Sequence, residues 1–162
     1  MRPTRVTDAA LPSIEVKIKA VSPLMGTTIP LPEYKTSGAA GVDLAACVEG
    51  PITLEPGERR LIPTGIAVQL PHAGVGAFIF AHSGLAAKEG LALANGVGVV
   101  DSDYTGEVLC AVEHRGANAF TIHPGDRIAQ MVFLPVMQAS LLLVDHLDPT
   151  PRGAGGFGHT GV

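Results

Sequence analysis

The sequence predicts a single all-β domain, and three observations carry that reading. Glycine (20) and proline (13) fill about a fifth of the 162 positions, against about 12% in average usage. Both residues weaken helix interiors and punctuate turns, which excludes a helical bundle or coiled coil. A hydrophobic content of 46% excludes a disordered chain, which needs low hydrophobicity and high charge. The remaining signal is spacing: short β-type runs separated by turn residues at intervals of about 8–12 residues suit a sandwich or barrel.

Taken in order, Ile14 to Ala20 alternates apolar and polar residues, the period of a half-buried strand. Turns follow at Pro23, Pro30 and Pro32. Leu54 to Glu58 is a turn, and Arg60 to Leu70 reads as a strand broken at Pro63-Thr64-Gly65. Further short strands fall at Val75–Phe80, Val97–Val100, Glu107–Val112, Phe120–Ile122 and Ile128–Leu134. One helix is predicted, Ser83 to Glu89, capped by Ser83 and stopped by Gly90. Gln138 to Leu147 fits strand and helix equally. Residues 13–148 thus form the β-rich domain, between a short mobile tail (1–12) and a glycine-rich flexible segment (149–162).

The bulk numbers narrow the function. A net charge of −4 with only 11 Lys and Arg offers no basic field for nucleic acid. Apolar runs stay short of the 18 or so residues a membrane helix needs, and Met1 to Pro12 lacks a signal-peptide core. Cys47 and Cys110, without CxxC spacing, read as buried thiols of a reducing, cytoplasmic compartment. With no tryptophan, two tyrosines and five phenylalanines, the core must be filled by aliphatic residues.

Five short segments are candidates for chemistry. Ser37 to Leu44 surrounds the carboxylate of Asp43 with small residues that permit close backbone approach; a turn with a capping Asp is the alternative. His82-Ser83-Gly84 opens the predicted helix, where free N–H groups and a hydroxyl suit a phosphate. Asn95 to Glu107 places three acids and Tyr104 between two apolar runs, a hairpin with a carboxylate at its mouth and an aromatic wall. Within it, Asp101 follows an apolar run, which suggests partial burial and a carboxylate able to orient water. Gln130 interrupts an apolar strand in Gly125 to Phe133 and needs a partner, from the protein or a ligand. Arg152 to Gly161 combines a cation with glycine-freed N–H groups and a lone ring, Phe157. It is not a Walker A loop, since no Gly-Lys-[Ser/Thr] follows. The histidines have no zinc-ligand spacing.

In their order and spacing, these five segments resemble the five motifs of the trimeric dUTP pyrophosphatase (dUTPase) family, from Val16 to the C-terminus. Val100-Asp101-Ser102-Asp103-Tyr104, Arg127-Ile128-Ala129-Gln130 and Arg152 to Gly161 carry the likeness. The resemblance implies a jelly-roll-like (β-clip) subunit in a homotrimer, with active sites at subunit junctions. It implies hydrolysis of dUTP to dUMP and pyrophosphate with Mg²⁺, which limits uracil in DNA and supplies dUMP for dTTP synthesis. By position, Asp101 activates the water that attacks the α-phosphorus. Asn95 and the backbone of Val99 and Val100 hold the uracil, and Tyr104 packs beneath the deoxyribose, leaving no space for a 2′-hydroxyl. Leu109 stands where larger residues are often found. Ser83, Gly84 and Gln130 contact the phosphates, and Asp43 lies near the metal through water. Arg152, Gly155, Gly156 and Gly158 close over the β- and γ-phosphates, and Phe157 stacks on the base.

One position departs from the family pattern: Arg-Ser-Gly is replaced by His82-Ser83-Gly84. Histidine is shorter than arginine and carries no permanent charge, so the expectation is weaker phosphate binding that improves toward acid pH. Two alternatives follow: a dCTP deaminase-like or bifunctional enzyme, and a weakly active or non-catalytic dUTP-binding regulator.

Overall fold

The computed structural model describes residues 13–156. In chain order the elements are β1 (Lys17–Ala20), β2 (Val42–Ala45), β3 (Ile52–Leu54), β4 (Arg59–Gln69), β5 (Val75–Ala81), α1 (Ser83–Glu89), β6 (Leu91–Leu93), β7 (Gly98–Val100), β8 (Glu107–His114), β9 (Phe120–Ile122) and β10 (Arg127–Pro135). Two four-stranded sheets result, ordered β1-β4-β8-β6 and β2-β10-β5-β7, with a ribbon of β3 and β9. Every pairing between these strands is antiparallel. The all-β reading with one short helix therefore holds.

Side-chain alternation builds the core. Along β8, Val108, Cys110, Val112 and His114 point inward while Leu109 faces solvent. One apolar cluster gathers Leu44, Ile79 and Met131 from one sheet, Ile62, Ile66 and Val108 from the other, and Leu54 and Ile122 from the ribbon. Among the described residues no phenylalanine or tyrosine is buried in the core, so branched aliphatics fill it as the composition predicts. Cys47 and Cys110 are both buried and free. No described helix is long and apolar enough to cross a membrane.

Three local expectations change. The Ile14–Ala20 pattern yields a strand only from Lys17, and all four of its residues are exposed. β1 is an edge strand paired with β4 alone, so alternation there finds no layer to pack against. Pro63-Thr64-Gly65 does not break β4; the strand runs on through an irregularity in its register with β8. The lost ladder bonds are replaced, with Cys47 N–H donating to Pro63 O at 2.8 Å and Thr64 Oγ1 to Val108 O at 2.6 Å. Ser83 is not the helix cap, because His82 takes that place without a side-chain capping bond. Gly90, by contrast, ends the helix as expected, at φ +72°.

Gln138 to Leu147 is neither strand nor helix. Met137, Leu141 and Leu143 are almost fully exposed, an apolar segment that none of the described residues covers.

Candidate active site

The sheet β2-β10-β5-β7 positions three of the five segments by register. Gln130 of β10 faces Asp43 of β2 on one side and Phe80 of β5 on the other. Asp43 therefore lies in a strand and not in a turn. Two residues beyond Phe80 the chain reaches His82, and α1 begins at Ser83. Asp43, Gln130 and the His82-Ser83-Gly84 start of α1 thus share one end of the sheet.

The chemistry at that end is polar and partly unspent. The first turn of a helix leaves N–H groups without intrahelical partners, and Gly84 keeps the backbone open, with the His82 ring 3.4 Å from where a Cβ would sit. The Nδ1 atom of His82 is buried without a hydrogen-bond partner. Gln130 is half-buried, and its amide finds no partner among the described residues. Asp43 is held by Arg127, whose Nη1 donates to Oδ2 at 2.9 Å. Sequence reasoning gave Arg127 no role; the signal was a cation three residues before Gln130, and only the strand register shows what it meets.

The Asn95–Glu107 segment is built differently. β7 pairs with β5 alone, so it is a sheet edge whose outer backbone groups face away from the ladder. Val100 points into the core and Val99 outward. Asn95 precedes β7 in a tight turn in which Val97 N–H donates to Asn95 O at 2.9 Å. Asp101 follows β7 and is exposed, which corrects the expectation of partial burial. Its carbonyl accepts from Tyr104 N–H at 3.2 Å, closing a turn directly after β7. Tyr104 is half-exposed, and its hydroxyl donates to Glu107 O at 2.9 Å. The ring lies over Gly106, where any Cβ would come within 2.6 Å of Tyr104 Oη. Leu109 is an outward residue of β8, opposite Pro63.

These two groups lie at different levels of the sheet. Val100 pairs with Ala77, so Asp101 lies one step further, level with Gly76, while Gln130 is level with Phe80. At about 3.3 Å per strand residue the offset along the sheet is about 13 Å. In the last segment, Arg152 Nε donates to Gly155 O at 2.8 Å in a turn that includes Gly153 at φ +53° and precedes Gly156. Phe157 and Gly158, and the expectations for 1–12, lie outside the described residues.

The donor set for a metal is sparse: among the described residues no three His, Cys, Asp or Glu side chains cluster. A lone carboxylate at Asp43, beside unspent N–H donors, fits a hydrated ion carried mainly by a phosphate chain better than a protein cage.

Comparison with known proteins places the chain in a family. Residues 27–161 match the dUTPase family. The deoxyuridine 5′-triphosphate nucleotidohydrolase of Desulfitobacterium hafniense (strain DSM 10664 / DCB-2) is 60% identical over 150 residues, covering 93% of this chain and 98% of its own. The protein of that name from Enterobacter sp. (strain 638) is 50% identical over 91% of this chain and 97% of its own. A mutant dUTPase of Staphylococcus bacteriophage 80alpha, solved with dUpNHpp, superposes with a TM-score of 0.79 at 23% identity, over 91% of this chain and 99% of that one. A mutant dUTPase from phage phi11 of S. aureus, described with a structural Mg(II) ion, gives 0.72 at 20% identity, over 83% and 99%. With its length matched, its fold shared and half or more of the aligned residues identical to such relatives, the chain belongs to the dUTPase family.

Proposed function

We propose that the chain is a dUTP diphosphatase, hydrolysing dUTP to dUMP and pyrophosphate. The edge strand β7 is the observation that carries the assignment of roles. Its open backbone edge around Val99 and Val100, with Asn95 before it, suits the Watson–Crick edge of a uracil. Asp101 leaves the end of that strand with an exposed carboxylate, placed to take the proton of a water attacking the α-phosphorus. Tyr104, pinned to Glu107, forms a flat platform under the sugar that leaves no room for a 2′-hydroxyl.

At the other end of the sheet, Ser83, Gly84 and Gln130 bind the phosphate chain, and His82 lends its unpartnered imidazole atom. Mg²⁺ held there would supply charge neutralisation to the phosphate chain and its leaving pyrophosphate. Asp43, oriented by Arg127, holds the ion's water shell. Arg152 and Gly155, which share one turn, close over the terminal phosphates together with Gly156.

Because Asp101 stands about 13 Å along the sheet from the Gln130 row, one chain does not assemble a site. The working form is a homotrimer with sites at the junctions. The bare Leu141 and Leu143 and the outward Leu61 supply apolar surface for such contacts. The two free thiols suit a reducing cytoplasm.

The test is pyrophosphate release from dUTP with Mg²⁺. Asp101→Ala is expected to lose about a thousandfold or more of kcat, the scale of a positioned general base. Wild-type protein that releases no pyrophosphate under these conditions overturns the reading.

A further inference from the structure

The irregularity in β4 has a consequence for selectivity. Pro63 pairs with Leu109 and Ala67 with Glu107, so Thr64, Gly65 and Ile66 face Val108 alone. Gly65 adopts φ +71°, and a Cβ there would lie 2.5 Å from Cys47 Sγ and 2.6 Å from Met25 Cγ. Only glycine fits. The turn takes the Gly65 N–H out of the ladder, and a partly buried N–H needs an acceptor. The carboxylate of Glu107 supplies it, with Gly65 N–H donating to Oε1 at 2.9 Å. Gly65 O in turn accepts from Val21 N–H at 2.9 Å, so the same residue anchors the end of β1.

Glu107 is therefore held at both ends. Its side chain grips the bulge, and its carbonyl accepts the Tyr104 hydroxyl at 2.9 Å. A neighbouring bond, Thr64 Oγ1 to Val108 O at 2.6 Å, fixes the next residue of β8 to the same bulge. We propose that Glu107 is a positioning residue for sugar selectivity, transmitting the rigidity of the β4 bulge to the height and tilt of the Tyr104 ring. The proposal rests on the reading of Tyr104 as the platform beneath the deoxyribose. Glu107 touches no substrate; it works by holding the atom to which Tyr104 is tied. A charge-assisted bond to a backbone N–H suits that task, being short and directional.

The experiment compares kcat/KM for dUTP and for UTP, with Mg²⁺, in the wild type and in Glu107→Ala, Glu107→Gln, Tyr104→Phe and Tyr104→Ala. Glu107→Ala is expected to lower the dUTP-to-UTP ratio about tenfold, the effect of one lost hydrogen bond. Glu107→Gln keeps an acceptor oxygen and is expected to restore the ratio to within about twofold of wild type. Tyr104→Phe cuts the same linkage at its other end, so the Glu107→Ala, Tyr104→Phe double variant is expected to fall no further than either single one. An unchanged ratio in Glu107→Ala, or losses that multiply in the double variant, overturns the proposal. If Glu107→Ala does not fold at the assay temperature, Glu107→Asp, too short to reach Gly65, takes its place with the same expected loss. The two readings fail separately: a Tyr104→Ala variant with unaltered selectivity removes the platform, whereas a collapsed ratio there beside a silent Glu107 removes only the linkage.

Discussion

Arg127, the first residue of β10, donates from Nη1 to Oδ2 of Asp43 in β2 at 2.9 Å. The arginine side chain is half-exposed and the carboxylate largely covered, at 51% and 17% exposure. A pair so placed contributes well under about 1 kcal/mol to stability, because solvent screens it. Its effect is to fix which way the carboxylate faces. Arg127→Ala is therefore expected to leave thermal unfolding almost unmoved while weakening the apparent affinity for Mg²⁺ about tenfold, as for other residues that orient a metal's neighbour. A Mg²⁺ titration of dUTP hydrolysis, run beside a melting curve, checks both halves.

His82 invites a gain-of-function prediction. Its Nδ1 is buried without a partner at the start of α1, beside the first-turn N–H groups. An arginine there adds a permanent, forked cation that meets two phosphate oxygens at once. His82→Arg is expected to lower KM for dUTP about tenfold, the scale of one charge-assisted bond. Steady-state kinetics at neutral pH, wild type beside variant, read this difference in KM. A variant no better than wild type at neutral pH counts against a phosphate role for this position.

The fold was legible wherever a signal was local. The β-type run at Glu107–Val112 and the stop at Gly90 can each be read from a few adjacent residues, and both are found. The bulge at Pro63-Thr64-Gly65 was not legible, because what keeps β4 continuous comes from Cys47, Glu107 and Val108, distant in sequence. Nor was Arg127, since pairing register decides that it meets Asp43. The exposed Ile18 shows the limit of periodicity: it predicts a strand, but not whether another layer covers it. The site residues were legible chiefly through the order of five segments, none of which identifies a site alone.

Cys110 gives a prediction about alkaline stability. Burial pushes its thiol up from an ordinary 9.0 to about 12. The folded chain holds this proton more tightly than the unfolded chain does. The resulting stability is fully present below pH 9.0 and is lost as pH rises toward 12. Urea midpoints are expected to fall across that window in wild type and to fall less steeply in Cys110→Ala. In the native state at mildly alkaline pH, Cys110 is also expected to resist neutral alkylating reagents, because the thiolate is the nucleophile. Rapid native labelling of Cys110 contradicts the assignment.

Subunit sharing can be tested without a structure of the assembly. Asp101 and Gln130 sit at different levels of one sheet, level with Gly76 and Phe80 respectively. If each site takes its Asp101 from one chain and its Gln130 from another, two inactive variants can repair each other. Asp101→Ala and Gln130→Ala are each expected to be nearly inactive alone. When equal amounts are unfolded together and refolded, random assembly gives a site both intact residues about one time in four. Recovered activity is therefore expected near a quarter of wild type, whereas variants refolded separately and then mixed without exchange recover none. Sites built within one chain predict no recovery in either case, since every chain then carries one of the two lesions. The exposed Leu141 and Leu143 supply the control: changing both to serine is expected to weaken assembly and lower the recovered fraction, read by the sedimentation of the refolded mixture.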